Sequence, residues 1–191
     1  MSTLLLASEI TGRPVVTLGG EAVARVKDVV VDGRAGRVSG FTLSGLGLLS
    51  GPKRRALPWE AVSSLGPHAV MIQDETVFRN RDEVADAAEA ADGSIFGARV
   101  LTDVGTDLGQ VTDVVIEVTA SQAVVAGYEI AATAAPARKR HSVFIPLART
   151  IAVSGEALVV PAAVADFVSD DLAALHKAIP EFRSHMSGKK P

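Results

Sequence analysis

The chain has no cysteine among its 191 residues. That absence excludes disulfides, thiolate metal sites and cysteine nucleophiles together, and it suits a reducing compartment. Aromatic residues are scarce, with six Phe, one Tyr and one Trp, which leaves little to stack nucleic-acid bases. No apolar run approaches the roughly 20 residues that a spanning helix needs. The N-terminal MSTLLLASEI has only four consecutive apolar residues, Leu4 to Ala7, and no basic segment before them, so it does not read as a signal peptide. The net charge is −3, too small for a global field that recruits nucleic acid or an anionic membrane. The expectation is a soluble, cytoplasmic protein.

Local signatures of catalysis are missing too. There is no G-x-S-x-G elbow, no Walker loop, and no G-x-G-x-x-G between a strand and a helix. His68, His141, His176 and His185 are far apart and form neither an H-x-H nor an H-E-x-x-H pair, so no metal site is implied. The reading is of a non-enzyme, with no cofactor and no metal.

What the chain does have is hydrophobic residues at 48 %, enough for a core. Valine clustered in short runs favours strands. It also has a repeat. Residues 26–43 read VKDVVVDGRAGRVSGFTL and residues 111–130 read VTDVVIEVTASQAVVAGYEI. Gly12 to Asp32 aligns with Gly97 to Glu117 at a constant offset of 85. The offset slips to 87 at Gly40/Gly127 and Phe41/Tyr128, and to 88 by Pro58/Pro146. Both slips fall in polar or glycine-rich stretches, where a duplicated fold accepts insertions.

Within copy one, Arg13–Thr17, Ala24–Val31, Arg37–Ser44, Arg55–Leu57 and Ala69–Ile72 read as strands, with a turn at Asp32–Gly36 and a stop at Pro58. Short strands joined by tight turns predict a small antiparallel barrel or strongly curled sheet, seen twice. The fold class is therefore mainly β: two tandem small barrels over 1–78 and 94–162, a helical linker over 79–93, a C-terminal helix over 163–183 and a disordered tail over 184–191. In the C-terminal helix, Ser169 before two aspartates reads as the N-cap and Pro180 as a stop or kink.

The stretch LSGLGLLSGPKRRALPWEAVSSLGPHAVMI, Leu43 to Ile72, resembles the second half of a PRC-barrel domain. The upstream glycine, valine-rich strand and hairpin turn resemble its first half. Copy two follows the same plan in FIPLARTIAVSGEALVV, with Leu147 in place of the Trp. PRC barrels occur in the H subunit of photosynthetic reaction centres, in a ribosome maturation factor and in small stand-alone proteins. The resemblance implies a binding or adaptor module. The chain lacks the membrane anchor of the first and the N-terminal domain of the second, so neither role transfers directly.

Two basic clusters stand out: Lys53-Arg54-Arg55 before ALPW, and Arg138-Lys139-Arg140 before HSVFIPL. Both read as loop residues at equivalent places, a repeated surface for a partner. Beside the first, Leu46, Leu48 and Leu49 lie in a glycine-rich loop. Leucines in a loop need a cover, whether the neighbouring barrel, a second copy of the chain in a homo-oligomer, or a partner. Trp59, at the Pro58-Trp59-Glu60 corner, either anchors a partner or packs over the barrel mouth. Asp28 and Asp113 sit at the same repeat position inside valine-rich strands and read as hydrogen-bonded scaffold.

The function this supports is a non-enzymatic adaptor that docks a partner protein or membrane-associated complex through barrel loops. An RNA- or ribosome-associated assembly factor is the alternative, and a small-ligand or ion sensor in a cleft between the barrels is a weaker one.

Overall fold

A computed structural model describes residues 2–32, 36–46, 52–85, 95–133, 142–147, 152–153 and 156–188. The chain is mainly β and divides into two compact units. The first comprises residues 1–91 with 117–125, the second 92–116 with 126–191.

The first unit contains β1 (Thr3–Leu6), α1 (Ala7–Ile10), β2 (Pro14–Thr17), β3 (Ala22–Asp32), β4 (Arg37–Ser44), β5 (Pro52–Pro58), β6 (Val62–Leu65), β7 (Val70–Ile72), β8 (Arg79–Asn80) and α2 (Arg81–Ala85). The second contains β9 (Arg99–Thr102), β10 (Asp107–Val118), β11 (Ala123–Ala132), β12 (Ser142–Pro146), β13 (Ala152–Val153), β14 (Ala157–Val160) and α3 (Leu172–Gly188). The tip joining β10 to β11 belongs to the first unit, where Val124 pairs with Arg37.

Strand order is the same in both units. One runs β6-β7-β2-β3-β4-β5 and the other β13-β14-β9-β10-β11-β12. Registers match under the sequence offsets. Val15 faces Ala24 while Val100 faces Gly109, and Phe41 faces Leu57 while Tyr128 faces Ile145. Most pairs are antiparallel, but β2 with β7 and β9 with β14 run parallel. Turn hydrogen bonds repeat as well. The Thr17 N–H donates to the Glu21 carbonyl at 2.8 Å, and Thr102 N–H to Thr106 at 2.8 Å. Gly20 and Gly105 supply the positive φ of these turns, 88° and 84°.

Alternating burial in β2, β7, β9 and β14 and continuous burial in β4 and β12 build the two cores. Val15, Phe41, Leu43, Leu57, Val70 and Ile72 fill the first; Val100, Tyr128, Ile130, Ile145, Leu158 and Val160 fill the second. One contact is shared and severe. A Cβ on Gly40 would overlap the Leu57 carbonyl oxygen and lie 2.9 Å from Pro58 Cα. A Cβ on Gly127 would overlap the Ile145 carbonyl oxygen and lie 3.3 Å from Pro146 Cα.

The C-terminal segment departs from the single helix expected over 163–183. A 3₁₀ stretch covers Ala162–Phe167, and α3 begins only at Leu172. Between them Ser169 exchanges backbone hydrogen bonds with Phe144 at 2.7 and 2.8 Å, which takes it out of the helix. The N-cap is Asp171, whose carboxylate accepts from the Ala174 N–H at 2.7 Å. The helix runs through Pro180 to Gly188, past the expected start of a disordered tail. Leu175, Ile179 and Phe182 are buried on both sides of the proline and hold it in place. Of the expected linker helix the described part is α2; residues 86–93 lie outside the described residues.

Two predictions follow from this packing. Gly40→Ala and Gly127→Ala each cost roughly 1–3 kcal/mol by overpacking. Gly66→Ala, with its nearest neighbour at 3.6 Å, costs within about 0.5 kcal/mol. Urea unfolding checks the contrast. The second concerns Tyr128, whose phenol is pushed up to about 12 by burial. The unfolded phenol ionises near about 10 while the folded one stays neutral, so this contribution is full below about pH 10 and falls as pH rises toward about 12. Tyr128→Phe places at this position the residue that copy one has in Phe41, and it removes that fall. Unfolding of both proteins at about pH 8 and about pH 11 reads the difference.

Candidate binding groove

The first basic cluster does not lie in a loop. Pro52 pairs with Ser44, and the ladder continues through Ala56, Leu57 and Pro58. Lys53, Arg54 and Arg55 are strand residues of β5, in the register shift between the Ser44–Pro52 and Thr42–Ala56 pairs. Ala56 and Leu57 are fully buried while Arg54 and Arg55 are exposed. The outer edge of β5 takes the two-residue β8, with Arg55 opposite Asn80 and Ala56 opposite Arg79. Val84 of α2 then packs on Val30 and Ala56.

This arrangement makes an open groove of about 510 Å³, lined by Arg54, Arg55, Glu75, Thr76, Phe78, Arg79 and Asn80. Buried Phe78 supplies its aromatic lining. Glu75 and Thr76 come from a 3₁₀ turn, Glu75–Val77, capped by Asp74. The Asp74 carboxylate accepts from the Thr76 hydroxyl and from its N–H at 2.8 Å. Those bonds, the hydroxyl first, hold the Asp74 carboxyl below its usual range.

The groove arginines differ from Arg13, Arg25 and Arg99, and share with exposed Arg37 and Arg81 the lack of a side-chain partner among the described residues. Arg13 donates to the Glu9 and Gly66 carbonyls at 2.8 and 2.6 Å, Arg25 to Gly12 at 3.0 Å, and Arg99 to Asp107 at 2.5 Å. Arg54, Arg55 and Arg79 make no ion pair or side-chain hydrogen bond among the described residues.

The remaining sequence candidates scatter. Leu46 follows β4 and is 46 % exposed. Leu48, Leu49, Arg138, Lys139 and Arg140 lie outside the described residues, and so does the side chain of Lys53. Trp59 is half-buried and meets buried Phe41 edge-to-face at 6.1 Å. That packing is one of its two expected roles. Asp28 and Asp113 are not equivalent: Asp28 is largely exposed and accepts from the Thr42 hydroxyl at 2.9 Å, whereas Asp113 is buried. The Asp28 side chain turns to solvent beside Lys27.

Arg79, Asn80 and Phe78 were not among the sequence candidates. The run Arg79-Asn80-Arg81 is legible as basic, but it falls at the start of the helical linker expected over 79–93. Among the described residues, no group of three or more His, Asp or Glu could hold a metal ion, and no helix is long and apolar enough to cross a membrane.

Comparison with known families agrees with this geometry. Residues 3–76 match the family model of the PRC-barrel domain. No curated protein gives a significant match to the chain. The Trp59 contact carries a prediction: Trp59→Leu loses an aromatic pair and about 1 kcal/mol of stability, measured by urea unfolding.

Proposed function

We propose that the PRC-barrel domain at residues 3–76 is a docking module that holds a partner protein, and that the chain acts as a non-enzymatic adaptor. The observation that carries this reading is an exposed apolar residue just past β4 together with unpaired cations on β5, the strand paired with it. Exposed Leu46 opens the leucine loop as β4 ends, and Arg54 and Arg55 stand exposed on the strand that follows. An exposed leucine forgoes burial worth on the order of 1.5–3 kcal/mol, and its cover supplies that burial. Unpaired guanidiniums add orientation and steering, which charge contributes more readily than raw affinity.

Copy two lacks the leucine loop. Its counterpart is Ala131 to Pro136, small and weakly apolar. Docking through copy one is therefore the form of the proposal that the sequence favours. A membrane-associated complex remains a candidate partner through the same surface.

The test is the triple substitution Leu46→Asp, Leu48→Asp and Leu49→Asp. Circular dichroism should match the parent, while light scattering and pull-down show lost self-association or lost capture of the parent's partner. Arg54→Glu with Lys139→Glu should weaken the same capture and change stability by no more than about 0.5 kcal/mol. Unfolding of the triple variant would place the leucines in the chain's own core and end the docking reading. Unchanged capture would end it as well.

A further inference from the structure

We propose that the groove of the first barrel binds an acidic segment of a protein partner, with Arg54, Arg55 and Arg79 taking its carboxylates. This rests on the docking reading above and names the chemistry that one part of that surface recognises.

Three observations combine. The first is charge: three guanidiniums face one carboxylate, Glu75, around a single groove. The second is availability. Arg13, Arg25 and Arg99 are spent on carbonyls or on Asp107, whereas the groove arginines have no protein acceptor among the described residues. A planar guanidinium with free donors matches a carboxylate in two parallel hydrogen bonds. The third is placement. Arg55 and Asn80 are held opposite each other by the β5–β8 register, and Arg79 is fixed opposite Ala56. Arg55 and Arg79 are thus carried on paired backbone and not on free loops, so little ordering of these two remains for binding.

The second unit makes the specificity of this arrangement visible. Its β12 is likewise edged by a single backbone pairing, Phe144 with Ser169, before a helix follows. Its register puts Ser142 and Val143 at the places of Arg54 and Arg55, which corrects the expectation that Arg138, Lys139 and Arg140 occupy places equivalent to the first cluster. The segment leading to its edge carries Phe167, which meets Phe182 at 5.1 Å and His185 at 5.9 Å. By the pairing of Ala56 with Arg79 and of Phe144 with Ser169, the second unit carries Ser169 where the first carries Arg79. The scaffold does not require arginines there, so scaffold duty does not account for them.

The groove also selects among anions. Glu75 within the lining and Asp74 at the cap beside it oppose a dense run of phosphates, while spaced carboxylates can avoid them. Phe78 and the Asn80 amide add an apolar contact and neutral hydrogen bonding suited to a peptide.

The test is fluorescence anisotropy of fluorescein-labelled hexaglutamate titrated with the full chain at low ionic strength. Hexaglutamine and oligouridine serve as the neutral and nucleic-acid probes. Hexaglutamate should bind, with affinity falling as salt rises, and hexaglutamine should not. Arg55→Ala with Arg79→Ala should weaken binding at least about tenfold. Arg25→Ala with Arg99→Ala, which removes the same charge elsewhere, should change it less than about twofold. Arg55→Lys with Arg79→Lys should recover only part of the loss. Should the alanine pair fail to fold by circular dichroism, Arg55→Gln with Arg79→Gln decides in its place. The proposal is overturned by absent hexaglutamate binding, by equal weakening in both arginine pairs, or by tighter binding of oligouridine. The leucine-loop variant tests docking separately. A partner lost with that variant alongside no hexaglutamate binding would reject the acidic ligand and leave the docking reading standing.

Discussion

One backbone contact organises each unit. The second strand of the hairpin passes so close to the strand that precedes the proline that no side chain fits at Gly40 or at Gly127. In each case the opposing atoms are a carbonyl oxygen and a proline Cα, at Leu57-Pro58 and at Ile145-Pro146. That approach sets the register of β5 on β4 and of β12 on β11. Register then decides which residues of β5 face the core. Leu57 lies opposite Phe41 inside, and the arginines are left outside. A bulkier residue at either glycine would push the strands apart and disturb every side-chain position downstream.

The two units share this skeleton and diverge at its edge. In both, the chain leaves the last strand of the barrel, returns to the outer side of β5 or β12, pairs briefly, and enters a helix. The brief pairing covers backbone that would otherwise be an open edge. Because it uses main-chain groups, it places few demands on side chains. Those positions are free to be Arg79 and Asn80 in one copy, and Ser169 and Asp170 in the other. Divergence between copies concentrates where the fold is least particular, which is also where a binding surface can form.

Much of the architecture was legible in the residues. The glycine, valine and proline pairs of the repeat carry the turn geometry, the alternating core positions and the strand stop, all local matters of φ, period and missing donors. The repeat also announced that both units would share one strand order. The candidate site was legible only in part. Arg54 and Arg55 stood out as a basic run, but Arg79 and Asn80 lie more than twenty residues further on, and their proximity is created by β5–β8 pairing. Trp59 offered two readings, and its contact with Phe41 depends on the fold that brings the two rings together.

The amino-acid order by itself determined what depends on near neighbours: the duplicated mainly β fold, the tight turns at Gly20 and Gly105, the absence of thiol chemistry, and the strand stops at Pro58 and Pro146. The tertiary structure decided what depends on distant pairing. It moved the basic cluster from a loop onto a strand, since the Ser44–Pro52 pairing extends the ladder. It drew Ser169 out of a helix, since Phe144 offered its backbone a partner. It exposed Asp28 and buried Asp113 at the same repeat position, since burial is set by what packs above a strand and not by the strand's own sequence.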